Sequence, residues 1–289
     1  MLYALCAAVA WGAADFLGAV STRRAGLLGT MCVGQAVACL ALGLLALGPV
    51  PVARPGPGDL VTLTVSGVLG VVSYAGFYRA LQLGPVSLVS PMFSAYAVVA
   101  VILAVVFGGE RLTLPGIAGV VLTIGGVILV SAAGPPDAGQ DPRPADRGRG
   151  DGVPYALVAM VSWGVTIYLL GRTAEDLGWF LPVAVSRAVT FVIILAVTVV
   201  VFLRRPSARP RAGTLPLPGI AGFLDVLAFI AYTRATTAGS VAVAAAASAC
   251  FPLIVIAGGI VVFHERLRGR QILGIGMTLA GLLVLGLSR

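Results

Sequence analysis

The sequence predicts an all-α integral membrane protein with ten transmembrane helices arranged as two inverted five-helix repeats. Three observations predict it: the composition, the spacing of the apolar runs and an internal repetition. Of the 289 residues, 59% are hydrophobic and only 10% are charged, and the mean hydropathy is +1.04. Because about a quarter of the residues in a soluble domain are charged, this composition argues against soluble enzymes, secreted disulfide scaffolds and disordered regulators.

Apolar runs of about 20 residues, the length of a membrane-spanning helix, divide each half of the chain into five predicted spans. The first five are expected at 2–21, 27–48, 60–82, 86–107 and 113–132. The other five are expected at 153–172, 178–203, 214–236, 239–263 and 269–287. The intervening stretch is rich in proline and charge and has no hydrophobic periodicity, so it reads as a flexible linker. The predicted units are therefore a first repeat at 1–133, a linker at 134–152 and a second repeat at 153–289.

The two halves share sequence at nearly constant spacing. Trp11-Gly12 recurs as Trp163-Gly164 at an offset of 152, and a Glu-Arg-Leu that begins at Glu110 recurs at Glu265 at an offset of 155. A five-helix unit crosses the membrane an odd number of times, so its second copy enters in the opposite sense. This inverted arrangement is common in transporters, which bind substrate between their repeats.

These motifs resemble the EamA-type transporters of the drug/metabolite transporter superfamily across nearly the whole chain. The resemblance rests on the Trp-Gly pairs, on the Tyr-Arg-Ala-Leu-Gln-Leu-Gly-Pro run at 78–85 and on the Gly-Glu-Arg-Leu-Thr stretch at 109–113. The second half departs from the pattern, because Thr-Thr-Ala-Gly-Ser at 236–240 replaces Leu-Gln-Leu-Gly-Pro and His264 stands where Gly109 does. The resemblance implies a carrier with cytoplasmic termini.

Three ionisable residues lie well inside the predicted spans, namely Asp15, Arg187 and Asp225. A central Asp or Arg costs about 2.5 to 3.5 kcal/mol on insertion, so such residues face a wet cavity or a partner. Two interpretations stay open: a structural Asp–Arg pair, or a substrate or proton site with Asp15 and Asp225 as candidates for proton coupling. Gln35 occupies the position of Arg187 in the first repeat, and a planar cation suits a carboxylate or phosphate. The first-span acid Asp15 is similar to the proton- and cation-binding acid of the small multidrug resistance transporters.

Aromatic residues provide the remaining candidates for a binding site. Trp11 and Trp163 are related by the repeat, while Tyr74 and Tyr78 share one face of the third span. The alternative is that such residues anchor the protein at the headgroups. The expected substrate-binding set is Trp11, Gln35, Tyr74, Tyr78, Trp163 and Arg187.

Prolines and turn residues carry structural expectations. Pro91, Pro182 and Pro252 lie within predicted spans and should kink them. Glu110, Glu265 and His264 lie at turns between spans, where a helix N-terminus or the membrane interface accounts for them.

No pattern indicates enzyme chemistry, a metal, a cofactor or nucleic acid. The cysteines at positions 6, 32, 39 and 250 all fall in apolar runs without ligand spacing, so they are interpreted as small buried hydrophobic residues. The net charge of +8 comes from arginines between the apolar runs, where they contact headgroups and set topology.

Arginine counting and the family resemblance give opposite orientations. Most arginines lie in the odd-numbered connections, and the positive-inside rule then puts these in the cytoplasm and both termini outside.

Together these observations predict a multi-pass carrier of the plasma membrane, the inner membrane of a bacterium. It would export a small organic metabolite or drug by alternating access and be coupled to protons. The alternatives are an uncoupled facilitator of a neutral metabolite and a structural or sensory membrane protein. An amino acid would suit Arg187 with an Asp, whereas an aromatic cation would suit the carboxylates and aromatic walls. The sequence leaves the oligomeric state open, with a monomer as one option.

Overall fold

The structure is a computed structural model. It describes residues 2–50, 53–109, 111, 113–132, 152–205, 210, 212–237, 241–248, 251–263 and 267–287. The predicted linker, apart from Gly152, and the turn residues Glu110, His264 and Glu265 lie outside these ranges, as does Cys250.

Within the described ranges the regular structure is helical, and no strand occurs there. The helices are α1 (Leu2–Leu45), α2 (Pro57–Leu83), α3 (Val86–Ser94), α4 (Tyr96–Val106), α5 (Leu114–Ala132), α6 (Gly152–Leu177), α7 (Phe180–Arg204), α8 (Pro216–Thr237), α9 (Val241–Ser248), α10 (Pro252–Phe263) and α11 (Gly269–Leu287). A short 3₁₀ helix at Ala212–Thr214 precedes α8. Helices satisfy every backbone polar group internally, as the hydrocarbon core of a bilayer requires.

Six of the described helices are long and apolar enough to cross a membrane. They are Leu2–Leu45, Pro57–Leu83, Leu88–Val106 (which joins most of α3 to α4), Gly152–Leu177, Phe180–Arg204 and Pro216–Thr237. Shorter apolar helices lie at Leu114–Gly126, Pro252–Val262 and Gly269–Val284. The expectation of an all-helical, multi-pass membrane protein is therefore confirmed.

Glycine in a left-handed conformation marks two reversals of the chain. α1 contains a non-helical residue, Gly26, with φ 76° and ψ 170°, and it lies between the predicted spans 2–21 and 27–48. Gly178, with φ 76°, lies between α6 and α7. A side chain would strain the backbone at such φ values, so both sites favour glycine.

Two proline expectations agree with breaks in the helices and one does not. α3 contains Pro91 and ends at Ser94, and α10 begins at Pro252. Pro182 lies in the first turn of α7, where a backbone N–H has no helical acceptor, so proline fits without bending the helix. The expected kink at Pro182 is therefore wrong.

Small residues bring the helices into close contact. A Cβ on Gly222 of α8 would collide with the backbone of Gly34 in α1. α5 and α11 pack reciprocally, because a Cβ on Gly126 would meet Thr278, and one on Gly281 would meet Thr123. Such close packing is typical of helices in lipid, where van der Waals contact drives association.

Many large apolar side chains are exposed on the outer surface, and two charged residues are buried. Val9, Leu40, Val192 and Val261 are each more than half exposed, which suits contact with lipid tails. The charged residues Arg187 and Asp225 are buried in the interior instead. Charged residues are costly in the interior of a membrane protein, so this buried pair marks a candidate functional site.

Candidate functional site

An ion pair between Arg187 and Asp225 lies at the centre of the bundle. Arg187 projects from α7 and Asp225 from α8, and the guanidinium Nη2 lies 2.7 Å from the carboxylate Oδ2. Their side chains are 3% and 11% exposed. Burial of either charge alone would be costly, so each neutralises the other.

The first half of the chain supplies three polar groups to this pair. The indole Nε1 of Trp11 donates to Asp225 Oδ1 at 3.1 Å, and the hydroxyl of Tyr74 donates to Asp225 Oδ2 at 2.7 Å. Arg187 Nη1 donates to the Tyr74 hydroxyl and, at 3.1 Å, to Gln35 Oε1. The bonds therefore join α1 and α2 to α7 and α8, and hydrogen bonds to charged groups are among the stronger ones.

Aromatic faces complete the surroundings of the guanidinium. The Cζ of Arg187 lies 4.0 Å from the ring centroid of Phe229 and 5.2 Å from that of Tyr74. Phe229 is one turn beyond Asp225 on α8, so the same helix face holds the counter-ion and the ring. Cation–π attraction is strengthened where the cation is desolvated, and it adds to the stability of the buried pair.

A narrow cavity adjoins the pair. Its lining residues are Trp11, Asp15, Ser73, Tyr74, Phe77, Phe93, Tyr96, Trp163, Asp225 and Phe251. Most are aromatic, and several rings meet edge to face, as Trp11 meets Trp163 with 6.3 Å between centroids. Mostly apolar walls with a few placed polar groups are typical of small-molecule sites.

Asp15 differs from Asp225 in having no partner among the residues that the structure describes. It lies one turn after Trp11 on α1 and lines the cavity, yet among the described residues its carboxylate makes no hydrogen bond and no ion pair. Asp225 acts on it only through repulsion between like charges. The cavity therefore contains one carboxylate that is neutralised and one that is not.

Tyr78 lies beside the cavity rather than in its wall. Its ring centroid is 5.9 Å from that of Tyr74, and the ring covers Gly18 of α1, where a Cβ would be 2.8 Å from Tyr78 Cε1. The side chain is buried, with 9% exposed. Its neighbours do not support the alternative of an anchor at the headgroups.

The residues singled out in the sequence thus come together in two layers. The first layer lines the cavity and consists of Trp11, Asp15, Tyr74, Trp163 and Asp225. In the second layer, Arg187 and Gln35 lie behind Tyr74, and Tyr78 lies beside the cavity.

The predicted binding set left out Phe93, Tyr96 and Phe251, which form one wall of the cavity, and Phe229, which covers the guanidinium, because most aromatic residues in such a sequence belong to the core or the interface. Tyr96 and Phe251 are separated by 155 positions, the offset of the later repeat matches, and they stack at 6.4 Å. The signal that could have identified Tyr96 and Phe251 is that each is an aromatic residue at the equivalent position of its repeat, next to an interruption of a helix.

Comparison with known protein families agrees with this geometry. A model described as the EamA-like transporter family matches residues 1–132 and 151–287. The chain belongs to the EamA-like transporter family. The resemblance expected from the motifs is confirmed, and the match assigns the protein a general function as a membrane transporter.

Individual relatives extend the likeness. An uncharacterized transporter of Archaeoglobus fulgidus is 26% identical over 242 residues, which cover 80% of each chain. An uncharacterized protein of Methanocaldococcus jannaschii is 42% identical over 67 residues, 23% of this chain and 49% of that one. A solved crystal structure superposes with a TM-score of 0.66 at 19% identity and covers 98% of this chain and 94% of the other. At that identity the structural match shows a shared fold.

Proposed function

We propose that this EamA-like transporter is a proton-coupled exporter of a small organic metabolite or drug, that it works by alternating access between two inverted repeats, and that it resides in the plasma membrane of a bacterium. The observation that carries the proposal is the buried charge network. Its two charges lie in the second half of the chain, while the donors and acceptors that hold them, Trp11, Tyr74 and Gln35, lie in the first.

Equivalent contacts in the two halves support the inverted-repeat arrangement. Gly12 packs on Phe251 and Ile254, and Gly164, which lies 152 positions after Gly12, packs on Tyr96 and Val99. Tyr96 precedes Phe251 by 155 positions, and Val99 precedes Ile254 by the same number. The left-handed glycines at 26 and 178 also differ by 152. The two ranges matched by the family model divide the chain near the same place.

The helix pattern supports ten spans. In this assignment α1 provides two spans that meet at Gly26, α3 and α4 form one interrupted span, and α9 and α10 form another. Each half then has five spans, and the interrupted spans face each other across the cavity through Tyr96 and Phe251. Broken helices at a midplane site are a recurrent feature of transporters.

Alternating access gives the network between the halves a mechanical role. When one repeat moves against the other, bonds such as Trp11–Asp225 and Gln35–Arg187 must break or change partners. The Arg187–Asp225 pair lies within the second half, so it can stay together during that movement and keep both charges neutralised. Trp11, Tyr74 and Trp163 then act as the substrate walls, and Tyr78 supports Tyr74 from beside the cavity.

Proton coupling is assigned chiefly to Asp15. No described cation lies beside its ionised carboxylate in this largely apolar cavity, and proton uptake removes that charge. Substrate and proton can therefore compete for Asp15, which exchanges one for the other. Asp225 already has its counter-ion in Arg187, and its role in coupling is the weaker of the two.

The test is a flux assay in proteoliposomes with a pH-sensitive dye inside. Amino acids, nucleosides, sugars and cationic dyes are added under an imposed pH gradient. We expect one class to dissipate the gradient with wild-type protein, and Asp15→Asn to abolish the effect. The matched control is Asp176→Asn, which removes the same charge from an exposed position at the end of α6. Its activity should equal that of the wild type.

The same assay separates the alternatives. An uncoupled facilitator would move radiolabelled substrate without altering the internal pH, and Asp15→Asn would leave its rate unchanged. A structural or sensory protein would move none of the compounds. Either result contradicts proton-coupled export.

A further inference from the structure

We infer that the substrate of this site is a monovalent organic cation that carries a flat aromatic ring, with the Asp15 carboxylate as its counter-charge. The inference rests on the proposed transport function and adds the substrate class to it. Four features of the site carry it: the engagement of Arg187, the isolation of Asp15, the aromatic walls and the scarcity of free polar groups.

Arg187 is already paired with Asp225, so a substrate carboxylate would have to compete with that residue. Its guanidinium is paired with Asp225, donates to Tyr74 and Gln35, and is covered by the ring of Phe229. An amino acid or organic acid would have to displace Asp225 and leave that carboxylate buried without a partner, which is strongly unfavourable. The geometry therefore disfavours anions and zwitterions.

Among the described residues of the cavity, Asp15 is the charge without a counter-ion. The charged and titratable groups that act on it are Asp225 of α8, which Arg187 of α7 neutralises, and the phenol of Tyr78 on α2. Tyr74, also on α2, already donates to Asp225. Phe16 packs against Gly258 of α10, a helix whose sequence has no charged residue. A cation is the species that balances Asp15.

The walls fit a flat ring. Phe77 and Phe93 stack with 4.3 Å between centroids, and Trp163 meets Tyr74 at 5.2 Å nearly at right angles. These rings contact one another, so an aromatic ring of the substrate would pack against the surfaces that they turn toward the cavity. Ring faces attract a cation and bind an aromatic body at the same time.

Apart from the indole N–H of Trp163, the other polar groups in the described part of the wall are already engaged. Ser73 donates to the carbonyl oxygen of Ala159 at 3.0 Å, and the Tyr96 hydroxyl bonds Ser248 at 3.2 Å. Trp11 and Tyr74 both donate to Asp225. A sugar or nucleoside needs several hydrogen-bonding partners to replace lost water, and the part of the wall that is described offers few. One bound cation replacing one proton at Asp15 makes the exchange electroneutral.

Binding is tested by tryptophan fluorescence, because Trp11 and Trp163 line the cavity. The remaining tryptophan, Trp179, lies against Arg234 and outside the cavity wall. Purified protein is titrated with four probes that share a phenyl ring: benzyltrimethylammonium, benzyl alcohol, phenylalanine and phenylacetate. The quaternary cation cannot titrate, so any effect of pH on its binding comes from the protein.

We expect benzyltrimethylammonium to bind at least tenfold more tightly than the other three probes and to bind more weakly as the pH falls. Asp15→Asn should reduce its affinity to that of benzyl alcohol, whereas the control Asp176→Asn should leave it unchanged. If Asp15→Asn does not fold, Asp15→Glu keeps the charge and should retain the preference for the cation, and the pH titration of the wild type carries the test.

Several outcomes overturn the inference. They are stronger binding of phenylalanine or phenylacetate, no binding of the cation, cation affinity that does not change with pH, or full cation affinity in Asp15→Asn. A proteoliposome assay with the same probes separates this failure from that of transport. If phenylalanine exchanges for protons and the cation does not, the substrate class is wrong and transport stands. If the cation binds and no probe crosses the membrane, the site assignment stands and transport fails.

Discussion

Removal of the charge of Asp225 is the most informative perturbation of the buried network. Asp225→Asn keeps the size of the side chain and one carbonyl oxygen, which can still accept from Trp11 or Tyr74. It removes the counter-ion of Arg187, whose side chain is only 3% exposed. The variant therefore isolates the cost of an unpaired buried cation.

The size of the effect follows from that burial. Breaking a buried ion pair by removing one partner costs about 3 to 5 kcal/mol, because the remaining charge is left uncompensated. Each kcal/mol lowers the melting temperature of a protein of this size by about 2 to 4 °C. We expect Asp225→Asn to lower the apparent Tm by about 6 to 20 °C.

A double-mutant cycle in detergent, followed by thermal unfolding, separates the pair from its surroundings. Arg187→Met fills much of the same volume without charge and should also be strongly destabilising, because Asp225 is then unpaired. The combination of Arg187→Met with Asp225→Asn leaves neither charge. We expect it to melt at least about 5 °C above the more damaged single variant, since replacing both charges removes the uncompensated one.

The cycle can refute this reasoning in two ways. Single variants that melt within 1 °C or so of the wild type would show that Arg187 reaches solvent or another anion. A double variant whose loss equals the sum of the two single losses would show that the charges do not depend on each other.

Three further predictions concern a hydrogen bond, a helix contact and a turn. Trp11→Phe removes the donor to Asp225 and should cost about 1.5 to 3 kcal/mol of unfolding free energy. The control Trp163→Phe should cost less, because the Trp163 indole makes only ring contacts among the described residues. Equal losses of Tm in the two variants would contradict this. Gly222→Ala should separate α1 from α8 and lower the yield of folded protein on size exclusion, whereas Gly276→Ala, with open space around it, should not. Gly26→Ala should cost about 1 to 2 kcal/mol by thermal unfolding because φ is 76° there, and an unchanged Tm would show that the chain relaxes.

Most of the helical framework was accessible from the sequence. Long apolar runs must form helices in lipid because no water is present to satisfy the backbone, and Gly, Pro and Arg marked their limits. The span predicted at 60–82 corresponds to α2 at Pro57–Leu83, and the one at 178–203 corresponds to α7 at Phe180–Arg204. The interruption near Ala95 was harder to place, since a proline inside a run indicates a kink and not which residue leaves the helix.

The family and the candidate residues were also accessible. The Trp-Gly pairs and the run beginning at Tyr78 led to the family that the comparison confirms. Asp15, Arg187 and Asp225 were conspicuous because charge is expensive in the membrane. The site roles of these residues remain predictions, to be decided by the binding and flux experiments.

The sequence by itself determined that this protein is a bundle of apolar helices with three ionisable residues inside it. Which Asp pairs with Arg187 was decided by the tertiary structure alone. Pairing depends on how α1, α7 and α8 are rotated about their axes and where they cross. Close packing between Gly34 and Gly222 fixes the approach of α1 to α8. That geometry brings Asp225 to 2.7 Å from Arg187 and leaves Asp15 at the cavity wall without a described counter-ion. Because the two side chains are identical, the sequence could not reveal this difference.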